Sequence, residues 1–199
     1  SKAEETGSIN NPRTEGAAVQ MGIGQGDMLV TPLQVANFVA AIGNGGTLYR
    51  PQVIEKIVGY DGTVFVHFKP EVLTVVPVSD ATLAAIKKGM WDVIHNERGT
   101  AYRRFRGMQV AVYGKTGTAT TSVEDPHSWF AGCTDANNPD NPDIAVAVVL
   151  EYAGDGSAYA APVFRRVIEA YYAERVITMY PWEWDIYITK TPIPDDQTP

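Results

Sequence analysis

Gly114-Lys115-Thr116-Gly117-Thr118-Ala119 lies between an apolar run, Val110 to Tyr113, and a hydroxyl-rich exit, Thr120, Thr121 and Ser122. One short β-type segment therefore gathers a cation, two hydroxyls and a bare stretch of backbone. Lys115 offers a point charge, Thr116 and Thr118 offer O–H donors, and Gly117 carries no side chain to hold a ligand off the backbone N–H groups. Donors of this kind on one edge suit a carboxylate. Two other readings compete. A phosphate-binding P-loop would need a glycine five residues before Gly114, where Gln109 stands, and a helix afterwards, whereas the sequence that follows reads as strand and turn. An ordinary strand with a snorkelling lysine is the plainer alternative. The rest of the chain has to decide between them.

The chain has 199 residues, 45% hydrophobic and 20% charged, enough for one good core and typical of neither disordered nor membrane-embedded proteins. A net charge of −7, with basic residues gathered into nothing larger than doublets such as Lys87-Lys88 and Arg103-Arg104, argues against nucleic acid as a partner. The apolar runs fall well short of a membrane span, and no signal peptide is read at Ser1, which leaves an upstream one open. Cys133 is the single cysteine and is expected in the core, with a Cys133–His127 dyad as the minor alternative. His67 and His95 lack ligand-spaced neighbours, so neither a metal nor a cofactor is expected.

Residues 1–20 are polar and without period, and are read as a loop or a cut end. Thr31-Pro32-Leu33-Gln34 combines an N-cap hydroxyl, a proline at the first helical position and a capping-box glutamine, which opens a helix to about Ile42. Its residues leave almost no polar face, so it should be central. Ile54 to Val58 and Thr63 to Phe68 are read as a hairpin about Asp61-Gly62, and Leu73 to Val76 as a short further strand. Ser79 caps a second helix, with Leu83, Ile86, Met90, Val93 and Ile94 on its apolar stripe and Lys87 and Lys88 in solvent. Strands are expected over Val110 to Thr118, Ser128 to Cys133 and Ile144 to Tyr152. A last helix runs from about Pro162 to Ala173, with Arg165-Arg166 off its stripe. Residues 174–199 form an extension in which Trp182 and Trp184 are expected to pack back on the body.

Taken in order, five segments make a recognisable series: Gly22-Ile23-Gly24-Gln25-Gly26; Leu29-Val30-Thr31-Pro32-Leu33-Gln34; Asn44 to Pro51; Lys115 to Ala119; and His127-Ser128-Trp129-Phe130-Ala131-Gly132. The chain resembles the C-terminal part of a class B penicillin-binding protein transpeptidase domain over residues 21–173. Gly99-Thr100-Ala101 and His127 to Phe130 look like the cell-elongation branch. The resemblance implies an α+β fold, a mainly antiparallel five-stranded sheet with helices packed on it. It implies a peptidoglycan D,D-transpeptidase whose serine attacks the D-Ala-D-Ala stem peptide and is trapped by β-lactams. Lys115, Thr116 and Thr118 would hold the substrate carboxylate, Gly117 would keep the edge open, and the Thr118 N–H would be an oxyanion donor. Strict alternation, however, puts Lys115 on the opposite face from both threonines, so twist or an edge position must reconcile them.

The chain departs from the family pattern at the nucleophile. No S-x-x-K occurs: the six serines are followed three places on by Glu4, Asn11, Thr82, Asp125, Ala131 and Ala160. Ser8-Ile9-Asn10 imitates the S-x-N motif but lies too close to Gly24-Gln25-Gly26, and is read as a chance match. The expectation is a fragment whose serine-bearing helical part lies upstream, inactive alone and anchored, through its parent, at the extracytoplasmic face of the cytoplasmic membrane. Its expected partners are peptidoglycan stem peptides, β-lactams, the upstream half of the same protein, cell-elongation complex proteins and a second copy through exposed apolar surface. The alternative is a non-catalytic binding or scaffold module that keeps the K-T-G wall.

Overall fold

The computed structural model describes residues 15–26, 28–121, 125–173 and Tyr180. Among the described residues five helices and seven strands follow in order: α1 (Glu15–Gly22), α2 (Pro32–Gly43), β1 (Thr47–Tyr49), β2 (Lys56–Val58), β3 (Val64–His67), β4 (Val72–Val75), α3 (Asp80–His95), α4 (Tyr102–Phe105), β5 (Val112–Ala119), β6 (His127–Thr134), β7 (Ala145–Leu150) and α5 (Ala160–Ala173). The class is α+β. Where a five-stranded sheet was expected, the described residues form one antiparallel sheet of three strands, β5-β6-β7, and two separate ribbons, β1-β4 and β2-β3. The hairpin β2-β3 is exposed along its whole length and pairs with no other described strand.

The elements form where local chemistry calls for them. Thr31 accepts from the Gln34 N–H while the Gln34 side chain accepts from the Thr31 N–H, a complete capping box in front of Pro32. Ser79 accepts from the Thr82 N–H at the start of α3. The interval expected to be loop at 1–20 instead carries α1 from Glu15, ended by a turn in which Gly24 (φ 75°) and Gly26 (φ 91°) take a backbone shape that side chains disfavour. The Ser8-Ile9-Asn10 triplet and Trp182 and Trp184 lie outside the described residues.

The sheet is packed on both faces. Phe130 and Val148 meet Phe164 and Ile168 of α5, while Cys133 meets Val39 and Ile42 of α2. Helix α3 lies along β5 and serves both sides, Ile94 joining the α5 cluster and Met90 the α2 cluster. α2 is only partly central: Val39, Ala41 and Ile42 are buried, but Leu33 and Phe38 face outward. Two charge expectations are corrected. Arg165, read as off the stripe, is 4% exposed, bonded through Nε to Glu169 at 2.7 Å and through Nη1 to the carbonyls of Arg104 and Arg106. A guanidinium can be buried when carboxylate and carbonyls satisfy its fork of donors. Lys88 pairs on the surface with Asp92, but Lys87 leans over the Tyr113 ring at 5.0 Å and lies 4.0 Å from Asp135.

Candidate active site

β5 pairs with β6 in continuous register, Lys115 opposite Ala131, Gly117 opposite Trp129 and Thr118 opposite Ser128, and no described strand pairs with its other edge. The carbonyls of Thr116 and Thr118 point to that open edge. The first accepts from Lys115 Nζ at 2.6 Å, the second from Gln25 Nε2 at 2.9 Å. In an antiparallel pair a residue turns both its N–H and its C=O either toward the partner strand or away from it. The N–H groups of Thr116 and Thr118 therefore face outward as well.

The two hydroxyls lie on the α5 side of the sheet, and each has a neighbour from a distant loop. Thr116 Oγ1 is 2.9 Å from Thr100 Oγ1, and Thr118 Oγ1 accepts from the Gly156 N–H at 3.4 Å. Lys115 starts on the other face but curls round the strand edge, ending 3.4 Å from Thr116 Oγ1. The edge position thus reconciles the lysine with the threonines. Gly156 lies so close over the sheet that a Cβ there would overlap the carbonyl oxygens of Gly117 and Trp129. Its loop is held by Asp155, whose carboxylate accepts from the Ser157 hydroxyl and from the N–H groups of Ser157 and Ala158. The Ser157 hydroxyl foremost, opposed by partial burial, holds that carboxyl below the usual range. Ser128, fully buried, donates to the Asp155 carbonyl and accepts from the Ala160 N–H, so it ties the loop to β6.

On the opposite face α2 and α3 frame an open cleft of about 570 Å³. Val35, Phe38, Ile86 and Met90 line its walls, with Lys115 and Trp129 at the strand. The cleft is apolar apart from its K-T-G border.

The competing readings lose their geometry. Gly114-Lys115-Thr116 lies inside a strand that continues to Ala119, not on a loop before a helix. Cys133 and His127 stand at opposite ends of the extended strand β6, too far apart for a dyad. Burial pushes the Cys133 thiol up to about 11, which makes it a core residue rather than a nucleophile. His127 Nδ1 accepts from the Tyr152 N–H, and His95 stacks on Trp91.

Sequence reasoning placed Lys115, Thr116, Gly117 and Thr118 on one strand, and the structure keeps them together. It missed what Gln25, Thr100 and Gly156 touch. Gly24-Gln25-Gly26 and Gly99-Thr100-Ala101 were visible only as family-like words, with nothing local to connect them to β5.

The family model described as "Penicillin binding protein transpeptidase domain" matches residues 1–169. The chain belongs to this family. The match takes in the first twenty residues as well. Among curated relatives, the peptidoglycan D,D-transpeptidase MrdA of Haemophilus influenzae is 31% identical over 83% of this chain and 27% of its own length. The peptidoglycan D,D-transpeptidase PbpA of Mycolicibacterium smegmatis is 34% identical over 82% of the chain and 34% of its own length. The chain thus spans roughly a quarter to a third of these transpeptidases. Among solved structures, penicillin-binding protein A from M. tuberculosis in its imipenem acyl-enzyme complex superposes with a TM-score of 0.68 at 30% identity, covering 84% of this chain and 36% of that one. Among the described residues of this family member, no helix is long and apolar enough to cross a membrane.

Proposed function

We propose that this chain supplies one wall of the active site of a penicillin-binding D,D-transpeptidase. The observation that carries the proposal is the open edge of β5, where the outward N–H groups of Thr116 and Thr118 lie beside the Lys115 ammonium, itself held on the Thr116 carbonyl. The nucleophilic serine and its activating lysine lie on a part of the protein outside these residues. In the reaction the serine Oγ adds to the penultimate D-Ala carbonyl, and the tetrahedral oxyanion collapses to an ester with release of the terminal D-Ala. An acceptor amine then takes the acyl group and restores the serine. Lys115 and the hydroxyls of Thr116 and Thr118 hold the carboxylate of the leaving D-Ala, while the Thr118 N–H is one oxyanion donor. A strand-edge amide is already oriented, so it stabilises the developing charge without reorganising. β-Lactams acylate the same serine, and their carboxylate meets the same donors. Gly117 leaves the edge open to either ligand.

The apolar cleft beside Lys115 receives the upstream half of the same protein, which also adds the strands that bring the sheet to five. Covering Phe38, 57% exposed, and Ile86, 39% exposed, is the corresponding gain in buried apolar area. The intact protein works on stem peptides at the extracytoplasmic face of the membrane, anchored by a segment elsewhere in the chain, among the proteins of cell elongation. The relatives' names support the peptidoglycan substrate, and the resemblance of the Gly99-Thr100-Ala101 segment supports the elongation branch.

Intact mass spectrometry with and without benzylpenicillin tests the reading, on this chain and on the chain extended upstream along its reading frame. A covalent adduct on the extended protein alone is the expected result. Adducts on neither would replace the transpeptidase by a non-catalytic scaffold module, and a stable apolar homodimer of the extended protein would displace the upstream half as occupant of the cleft.

A further inference from the structure

Thr100 is 15 residues from Lys115 in sequence, yet its hydroxyl oxygen is 2.9 Å from that of Thr116. Its backbone is fixed from both sides. The Gly99 N–H donates to Asn96 and the Ala101 N–H to Val93, and a Cβ at Gly99 would overlap the Asp92 and Val93 carbonyl oxygens. Ala101 is fully buried. The turn after α3 thus presents the Thr100 hydroxyl to β5 on a rigid support.

A threonine hydroxyl has one proton to give and two lone pairs. Thr116 Oγ1 already accepts from Lys115 Nζ at 3.4 Å. If its own proton went to Thr100, only a lone pair would remain toward the open edge, and a lone pair repels a carboxylate. If Thr100 donates instead, both Thr116 lone pairs are filled and its proton is turned to the edge. We propose that Thr100 is a positioning residue for carboxylate capture, setting the direction of the Thr116 hydroxyl by donating to it. This rests on the functional reading above, in which Thr116 binds a carboxylate.

The test uses the full-length protein, serine included, and compares adduct formation by benzylpenicillin with that by its methyl ester, which lacks the carboxylate. Thr100→Val should slow the acid about tenfold, the worth of one hydrogen bond, and leave the ester within about twofold of wild type. Thr100→Ser should recover most of the rate, and in a Thr116→Val background Thr100→Val should add nothing. Thr100 is exposed, and Thr100→Ala gives a second hydroxyl-free variant should valine disturb folding. Equal slowing of acid and ester, slowing that persists without the Thr116 hydroxyl, or no slowing at all would overturn the proposal. A wild-type protein that forms no adduct, or reacts as fast with the ester as with the acid, would instead overturn the carboxylate-site reading, and this role with it.

Discussion

The Lys115 ammonium donates to the carbonyl oxygen of Thr116, its neighbour in sequence, at 2.6 Å. A lysine that leaves one face of a strand can reach the other only where no further strand bars the way. The contact is thus a consequence of β5 being the sheet edge. It holds the charge beside the Thr116 hydroxyl, where the proposed carboxylate would take the place of the carbonyl.

Replacing Lys115 with alanine should therefore cost binding and not folding, because the side chain is exposed. Loss of a charge-assisted hydrogen bond, about 1.5–3 kcal/mol, corresponds to a slowing of covalent penicillin capture by the full-length protein of roughly ten- to a hundredfold. Time-resolved mass spectrometry measures it, and an undiminished rate would remove Lys115 from the site.

Gly156→Ala puts a methyl group against backbone, not against a side chain that could turn aside: the carbonyls of Gly117 and Trp129, with the Gly117 nitrogen 3.0 Å away. Overpacking of this kind costs about 1–3 kcal/mol. Because the displaced loop also carries the N–H that meets Thr118 Oγ1, penicillin capture should slow along with a lower urea midpoint. A variant as stable as wild type would show that the loop yields freely.

Glu169 is 3% exposed and pairs with both Arg165 and Arg166. Glu169→Ala should destabilise the protein by about 3–5 kcal/mol, since it leaves Arg165 buried without its carboxylate. Replacing Arg165 and Glu169 together by apolar residues should recover much of the loss in equilibrium denaturation. A single-variant cost below about 1 kcal/mol would contradict the packing of α5.

Cys133 provides a pH prediction. Burial favours its neutral thiol and raises its folded value to about 11, above the ordinary value near 8.5 of an unfolded chain. The group's contribution is therefore complete below about pH 8.5 and is lost as pH rises toward 11, because the unfolded chain gives up the proton first. Cys133→Ser should flatten the alkaline fall in stability between those limits. At pH 8 only about one thiol in a thousand is thiolate, so iodoacetamide should label Cys133, read by peptide mapping, only in denaturant.

The sequence by itself determined the local elements, because their causes are short in range. Thr31 and Gln34 close a capping box three residues wide, Asp61-Gly62 turns a hairpin, and the stripe of Leu83, Met90 and Ile94 repeats with the helical period. It also put Lys115, Thr116, Gly117 and Thr118 on one strand. Tertiary structure alone decided how that strand is equipped. The α1 helix, the burial of Arg165 and the ammonium of Lys87 over Tyr113 were not legible, because propensity describes a residue's neighbours in sequence and these depend on neighbours in space. Gln25 meets Thr118 across 93 residues, and Thr100 meets Thr116 across 16. No periodicity joins such pairs. They exist because α3 and the turn after α1 pack where the open edge of β5 ends, and packing is a property of the whole core.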